Sequence, residues 1–231
     1  DETFVYSSYA RFISMFSEIV QGVEKKTFDK IAEETKNPKD LIPLYKALYE
    51  KETVEKFPEE VKEHILMAVN SIFNSWNNER AILYRKLNNI DDNMGTAVVV
   101  QEMVFGNFNN KSGTGVVFSR NPSTGEKQIF GEYLICAQGE DIVAGIRTPE
   151  PIAKLQEEMP KVYEELLENI HKLEQHNKDM QDIEFTIQDE KLYILQTRNG
   201  KRAPKAAVKI AIDMQEEGII SKEEAVLRVD P

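Results

Sequence analysis

Apolar positions in the first third of the chain recur every three or four residues. Tyr9, Phe12, Ile13, Phe16, Ile19 and Val20 make one stripe, and Leu41, Leu44, Tyr45 and Leu48 another, a spacing that gathers side chains on one face of an α-helix. The pattern continues over residues 59 to 75 through Val61, Ile65, Ala68, Val69, Ile72 and Phe73, and a last helix is expected over 79 to 88. After Asn93 the period shortens. Thr96 to Phe105 is rich in valine, Val116-Val117-Phe118 is a short apolar run and Ile129 to Ile135 alternates beside turn formers, so each predicts a strand. Asn121-Pro122-Ser123-Thr124-Gly125 predicts a loop, because Pro presets φ and Gly supplies positive φ. Residues 150 to 178 return to a helical stripe. Met180 to Gln188 and Lys191 to Thr197 read as an antiparallel hairpin turning at Asp189-Glu190, and residues 203 to 228 read as helical.

Glycine marks the same change of character, since eight of the 11 glycines fall between Gly95 and Gly145 and the first 94 residues hold only Gly22. The expected fold class is α+β: a helical subdomain over 1–93, a lobe of mostly antiparallel sheet with packed helices over 94–202, and C-terminal helices over 203–231. At roughly 150 residues per domain, 231 residues allow one large domain or two smaller ones. Twenty-nine basic against 40 acidic side chains leave a net charge of −11, which argues against a nucleic-acid partner. No apolar run approaches the roughly 20 residues of a membrane span. A single cysteine, Cys136, permits no internal disulfide, so a reducing, cytoplasmic setting is expected; following an apolar strand, its thiol is expected to be buried and inert. His64, His171 and His176 lie in helical runs without metal-ligand spacing, which argues against zinc. Asp1-Glu2-Thr3-Phe4 has neither an initiator Met nor the plan of a signal peptide, and Asp230-Pro231 follows directly on a helix-like run. Both ends are expected to be cuts in a longer protein.

The hairpin carries the most chemistry. In Asp182-Ile183-Glu184-Phe185-Thr186-Ile187 the acids and Thr share one face and the apolar residues the other. A short turn at Asp189-Glu190 brings Gln196 opposite or next to Glu184, with Arg198 following on the same side. Two hard oxygen donors beside a guanidinium suit Mg²⁺ held jointly with phosphate oxygens, which Arg can grip in bidentate fashion. The competing reading is a cross-strand Glu to Arg pair on a solvated face, which is common and weak.

Other features are less specific. Ser112-Gly113-Thr114-Gly115 lets backbone N–H groups approach an anion, yet no Walker Lys follows, and taken alone these residues are more often a plain hairpin turn. No acid occurs from Lys191 through Ile212, a local reversal of sign able to attract polyphosphate or simply the polar face of a linker and helix. Glu140-Asp141 reads as a turn or a metal-side group.

Several stretches together resemble the pyruvate phosphate dikinase family. They are Gly95 to Asn107, the loop Ser112 to Gly125, Gly131-Glu132-Tyr133-Leu134 with Ala137-Gln138-Gly139-Glu140-Asp141, Gly145 to Pro149, Asp179 to Ile187, and Leu195-Gln196-Thr197-Arg198-Asn199-Gly200. The opening Phe4 to Phe12 resembles the family's helical subdomain, and only residues 35 to 58 depart from the pattern. The resemblance implies an ATP-grasp lobe in which Glu184 and Gln196 bind Mg²⁺ with the ATP phosphates and Arg198 stabilises the transferring phosphoryl charge. It implies that Thr114 and Gly115 lie in a polyphosphate loop and that Gln101, Met103 and Val104 border adenine, with Asp182 near the metal and Glu140 and Asp141 weaker candidates. Its partners would be ATP or AMP, phosphate or pyrophosphate, and a phosphohistidine domain that later phosphorylates pyruvate, within a homo-oligomeric parent.

The family's glycine-rich first lobe, its histidine motif and its pyruvate-binding barrel are absent from these 231 residues. The isolated chain is therefore expected to bind ATP weakly, to catalyse nothing and to self-associate. Phosphoenolpyruvate synthase is a rival within the class, disfavoured by Arg120-Asn121-Pro122-Ser123-Thr124-Gly125-Glu126. A non-catalytic interaction module is the rival outside it.

Overall fold

The helical spacing of the first third becomes α1 (Glu2–Gln21), α2 (Lys25–Glu34), α3 (Pro38–Thr53), α4 (Val61–Ser75) and α5 (Glu79–Leu87). The computed structural model describes residues 2–143, 145 and 147–229. They divide into two units, Asp1–Gln101 and Glu102–Pro231. Local chemistry sets the helix ends of the first unit. Asn37 caps α3 by accepting from the Lys39 amide at 3.2 Å with Pro38 in the first helical turn, and Asn78 caps α5 by accepting from Ala81 at 2.8 Å. Ala10, Ile13, Phe16, Phe28, Tyr45, Leu48, Tyr49 and Phe57 make the core of this unit. His64 packs edge-on against Phe12 and Phe16 with centroids 5.0 Å away, a packing role. Arg85 lies 4.0 Å from the Trp76 ring and donates to Asp92 at 2.7 Å, tying the end of the unit to α5.

The second unit is built on a five-stranded sheet of order β3-β2-β1-β4-β5, with β1 (Gly113–Phe118), β2 (Phe130–Ile135), β3 (Glu150–Pro151), β4 (Gln181–Gln188) and β5 (Lys191–Asn199). Every neighbouring pair is antiparallel, so the fold class is α+β. Short α6 (Gly139–Val143) follows β2; a 3₁₀ turn over Ile152–Lys154, then α7 (Leu155–Glu158) and α8 (Pro160–Asn177), precede the hairpin. Leu155, Met159, Val162, Leu166 and Ile170 pack on one sheet face against Val117, Tyr133, Ile183, Phe185, Ile187 and Leu192. Gly115 belongs to this face. A Cβ there would sit 2.4 Å from the Phe185 ring, so the core itself requires glycine. α9 (Pro204–Glu216) and α10 (Lys222–Leu227) close a separate apolar cluster of Met180, Ala206, Ile210, Met214, Ile219 and Ile220, with Phe118 and Ala225 against it.

At the end of β1 the fully buried Arg120 is held by two carboxylates. Its Nη2 donates to Glu174 at 2.8 Å on α8 and to Glu217 at 2.8 Å just after α9, and Lys127 reaches Glu217 at 2.9 Å. Burial lowers the Arg120 pKa, but the hydrogen bonds from Glu174 and Glu217 outweigh it, and the net shift is upward.

Three local expectations fail. Thr96 to Phe105 forms no strand: Val99 and Val100 are exposed, no strand pairs with the segment among the described residues, and β-propensity without a ladder does not hold a strand. Ser112-Gly113-Thr114-Gly115 is not a turn or loop but the entry to the central strand β1, flanked on both sides by hydrogen-bonded neighbours. Cys136 is exposed with φ 50°, because the chain bends out of β2 there and its amide turns back to the Ser112 carbonyl at 2.7 Å. Among the described residues no helix is long and apolar enough to cross a membrane.

Candidate nucleotide and metal site

The face of the sheet turned away from α7 and α8 gathers the polar positions. Strand pairing sets Phe130, Phe118, Asp182 and Arg198 in one row, and Glu132, Val116, Glu184 and Gln196 in the next. The hairpin turn that starts this register has left-handed φ at both Asp189 (51°) and Glu190 (62°), the geometry of a two-residue type I′ turn. Asp tolerates that region but Glu does not favour it, and the turn is braced from outside. The Glu190 amide donates to the Lys111 carbonyl and the Asp189 amide to Ser112 Oγ, each at 2.9 Å.

Continued unbroken from that turn, the ladder would place Leu195 opposite Glu184. A bulge between Glu184 and Phe185 absorbs Leu195 instead, so Phe185 faces Ile194 and Glu184 faces Gln196. The parity shift puts Gln196 and Arg198, as well as Tyr193, on the open face.

Arg198 Nε donates to Asp182 Oδ2 at 2.8 Å, and its Nη2 lies 4.0 Å from Glu184 Oε1. The Asp182 hydrogen bond, followed by its charge, raises the Arg198 pKa. The guanidinium is 59% exposed and the Glu184 side chain 41%, whereas Asp182 is 12% exposed. One carboxylate therefore anchors the arginine while the other stays open to solvent. The donor set fits Mg²⁺ shared with a phosphate: Glu184 and Gln196 offer hard oxygens on adjacent strands, and Asp182 lies two residues along. Among the described residues no cluster of three or more His, Cys, Asp or Glu could hold a metal ion.

The remaining candidates are spread along the chain. Thr114 is buried in β1, where its hydroxyl donates to the Phe185 carbonyl at 3.1 Å and lies 3.4 Å from Thr186 Oγ1. With Gly115 turned to the packed face, neither forms a loop over the open face. Met103 is exposed and Val104 half-buried; the next residue, Phe105, donates its amide to Gln188 Oε1 at 2.7 Å, which ties this segment to the turn end of β4. That end lies about 13 Å along the strand from Glu184. Gln101 is exposed at the end of the first unit. Asp141 caps α6 by accepting from the Gln138 amide at 2.8 Å, with Glu140 in the same first turn. Sequence reasoning passed over Glu132, which the pairing places in the row of Glu184; its signal is the polar position in the alternation of β2. It also passed over Arg120 and Gln181, whose partners are distant in sequence.

The family model for the pyruvate phosphate dikinase AMP/ATP-binding domain matches residues 57–169 and 154–219. The chain belongs to the pyruvate phosphate dikinase family. It is 51% identical over 243 aligned residues to the pyruvate, phosphate dikinase of Clostridium symbiosum, 49% over 241 to the chloroplastic enzyme of Flaveria trinervia and 46% over 244 to chloroplastic pyruvate, phosphate dikinase 1 of Arabidopsis thaliana. These alignments take in 98%, 98% and 100% of this chain but only 28%, 25% and 25% of the relatives. The chain thus spans about a quarter of the length of the dikinases it matches.

Proposed function

We propose that the open face of the β4–β5 hairpin binds Mg·ATP and acts in the first half-reaction of a pyruvate, phosphate dikinase. The parent enzyme would use ATP and phosphate to phosphorylate a histidine on another domain, releasing AMP and pyrophosphate, and then pass the phosphoryl group to pyruvate. The observation that carries this reading is the convergence of Glu184, Gln196, Asp182 and Arg198 on one face, set by a bulge that turns Gln196 and Arg198 to that face. Similarity over the whole chain to relatives named as dikinases supports it.

In this reading Glu184 and Gln196 hold Mg²⁺, with Asp182 beside them. Bound there, the ion would neutralise phosphate charge and orient the polyphosphate. Arg198 exchanges part of its contact with Asp182 for phosphoryl oxygens, and its fixed charge favours the charge that spreads over the transferring group. Met103 and Val104 border the base near Gln188, with Gln101 before them, and the sheet lies in an ATP-grasp lobe. Thr114 and Gly115 serve as the strand beneath the site. Helices α9 and α10 lead toward the phosphohistidine domain, and the parent is a cytoplasmic homo-oligomer.

Substitution of Arg198 by Ala in the full-length enzyme tests the reading. ATP-dependent histidine phosphorylation is expected to fall by about 10³-fold or more, the scale of a transition-state arginine, with the folded state retained because the side chain is exposed. Unchanged phosphorylation would reject it in favour of a non-catalytic interaction module.

A further inference from the structure

Arg198 stands between two residues whose side chains are pinned from behind. Thr197 and Asn199 point to the opposite face of β5, and both meet one group there. Thr197 Oγ1 donates to Gln181 Oε1 at 2.8 Å, and Gln181 Nε2 donates to Asn199 Oδ1 at 3.1 Å. The Asp179 carbonyl, an acceptor only, takes a further bond from Nε2 at 2.9 Å and so fixes which way the Gln181 amide faces. Gln181 is 1% exposed, whereas the stretch of β5 it holds is exposed and lies at the edge of the sheet. The Gln181 backbone is fastened as well: its amide donates to Ser119 Oγ at 2.9 Å, and its carbonyl accepts from the Ser119 amide at 2.9 Å.

We infer that Gln181 is a positioning residue for Arg198: its buried amide clamps the residues on either side and so fixes the backbone from which the guanidinium reaches over the open face. An edge strand past a bulge has only one neighbour to hold it, and side-chain bonds to that neighbour substitute for the missing second ladder. Asp182 then fixes the side chain from the front, as Gln181 fixes the backbone from the rear. This deepens the function proposed above and rests on it.

The test is a double-mutant cycle in the full-length enzyme, read as histidine phosphorylation at saturating Mg·ATP. Gln181→Leu removes the whole clamp, and Thr197→Val removes one arm at an exposed position that folding tolerates. Both are expected to lower the rate, Gln181→Leu by roughly 10- to 100-fold, the scale seen when a supporting partner of a functional group is lost; KM for ATP should change less than about threefold. In an Arg198→Ala background both substitutions should cost less than about twofold, because the residue they act through is gone. Equal losses with and without Arg198, or full activity of Thr197→Val and Gln181→Leu in an enzyme that Arg198→Ala cripples, would overturn the inference and leave the proposed function standing. An enzyme indifferent to Arg198→Ala would overturn both.

Discussion

Glu184 lies directly across from Gln196, although an unbroken ladder from the Asp189-Glu190 turn would set it against Leu195. One absorbed residue thus decides which side chains of β5 face solvent, because successive residues of a strand point to opposite faces.

Two deletions follow from that parity and are expected to differ. Removing Leu195 leaves a regular ladder in which Gln196 still faces Glu184 and Arg198 still faces Asp182, so histidine phosphorylation by the full-length enzyme should stay within about tenfold. Removing Thr197 makes Gln196 and Arg198 consecutive, so only one of them can remain on the open face. Loss of a ligand or of the arginine should then cost at least about 100-fold. Equal activity of the two deletion variants would show that register does not govern the site.

Gly115→Ala separates two reasons for a glycine in β1. The added Cβ would meet Phe185 at 2.4 Å and the Glu132 carbonyl at 2.8 Å, neither able to yield without shifting core or backbone. Overpacking of this kind costs about 1–3 kcal/mol, measurable as a lowered denaturation midpoint, while the folded fraction should bind Mg·ATP as the unaltered enzyme does. A variant of unchanged stability that has lost ATP binding would restore the phosphate-loop reading of Ser112 to Gly115.

These cases also show what the sequence could reveal. The helices of the first unit and the β4–β5 hairpin were legible, because helical spacing, period-two alternation and a two-residue turn are local signals. The nearness of Glu184 to Gln196 followed from them, but the common face of Glu184, Gln196 and Arg198 depends on the bulge at Leu195, which has no local signal. Thr96 to Phe105 misled, since its valines speak for β-propensity and say nothing about a partner strand. Ser112 to Gly115 misled in the opposite way: Gly115, read as part of a turn, is present because Phe185, 70 positions away in the chain, fills the space its side chain would need, and a Cβ at Gly113 would meet the Leu134 carbonyl of β2. Arg120 left no local trace, for its carboxylates lie 54 and 97 residues away.

Removing Arg120 should be among the most damaging single changes in the second unit. Arg120→Ala strips Glu174, itself buried, of its cation and also opens a cavity; breaking a buried pair from one side typically costs about 3–5 kcal/mol. Arg120→Ala paired with Glu174→Ala should be less harmful than the sum of the single changes, because the second removes the charge the first strands. Additive losses in chemical denaturation would show that the ion pair is not coupled.

Glu217 gives the same cluster a pH dependence of known sign. Partial burial pushes its carboxyl up, but hydrogen bonds from Arg120 and Lys127, reinforced by their charges, outweigh burial and hold it below its ordinary value of 4.5. A carboxylate whose pKa is depressed by folding adds stability that is present above the unfolded-state value and lost as pH falls through the folded-state value. The stability gap between the unaltered protein and Glu217→Gln should therefore be constant from pH 7 down to about pH 5, then close as the pH drops below 4.5. Thermal denaturation of both proteins across that range measures it, and a gap that widens in acid would mean that Glu217 is held in its protonated form.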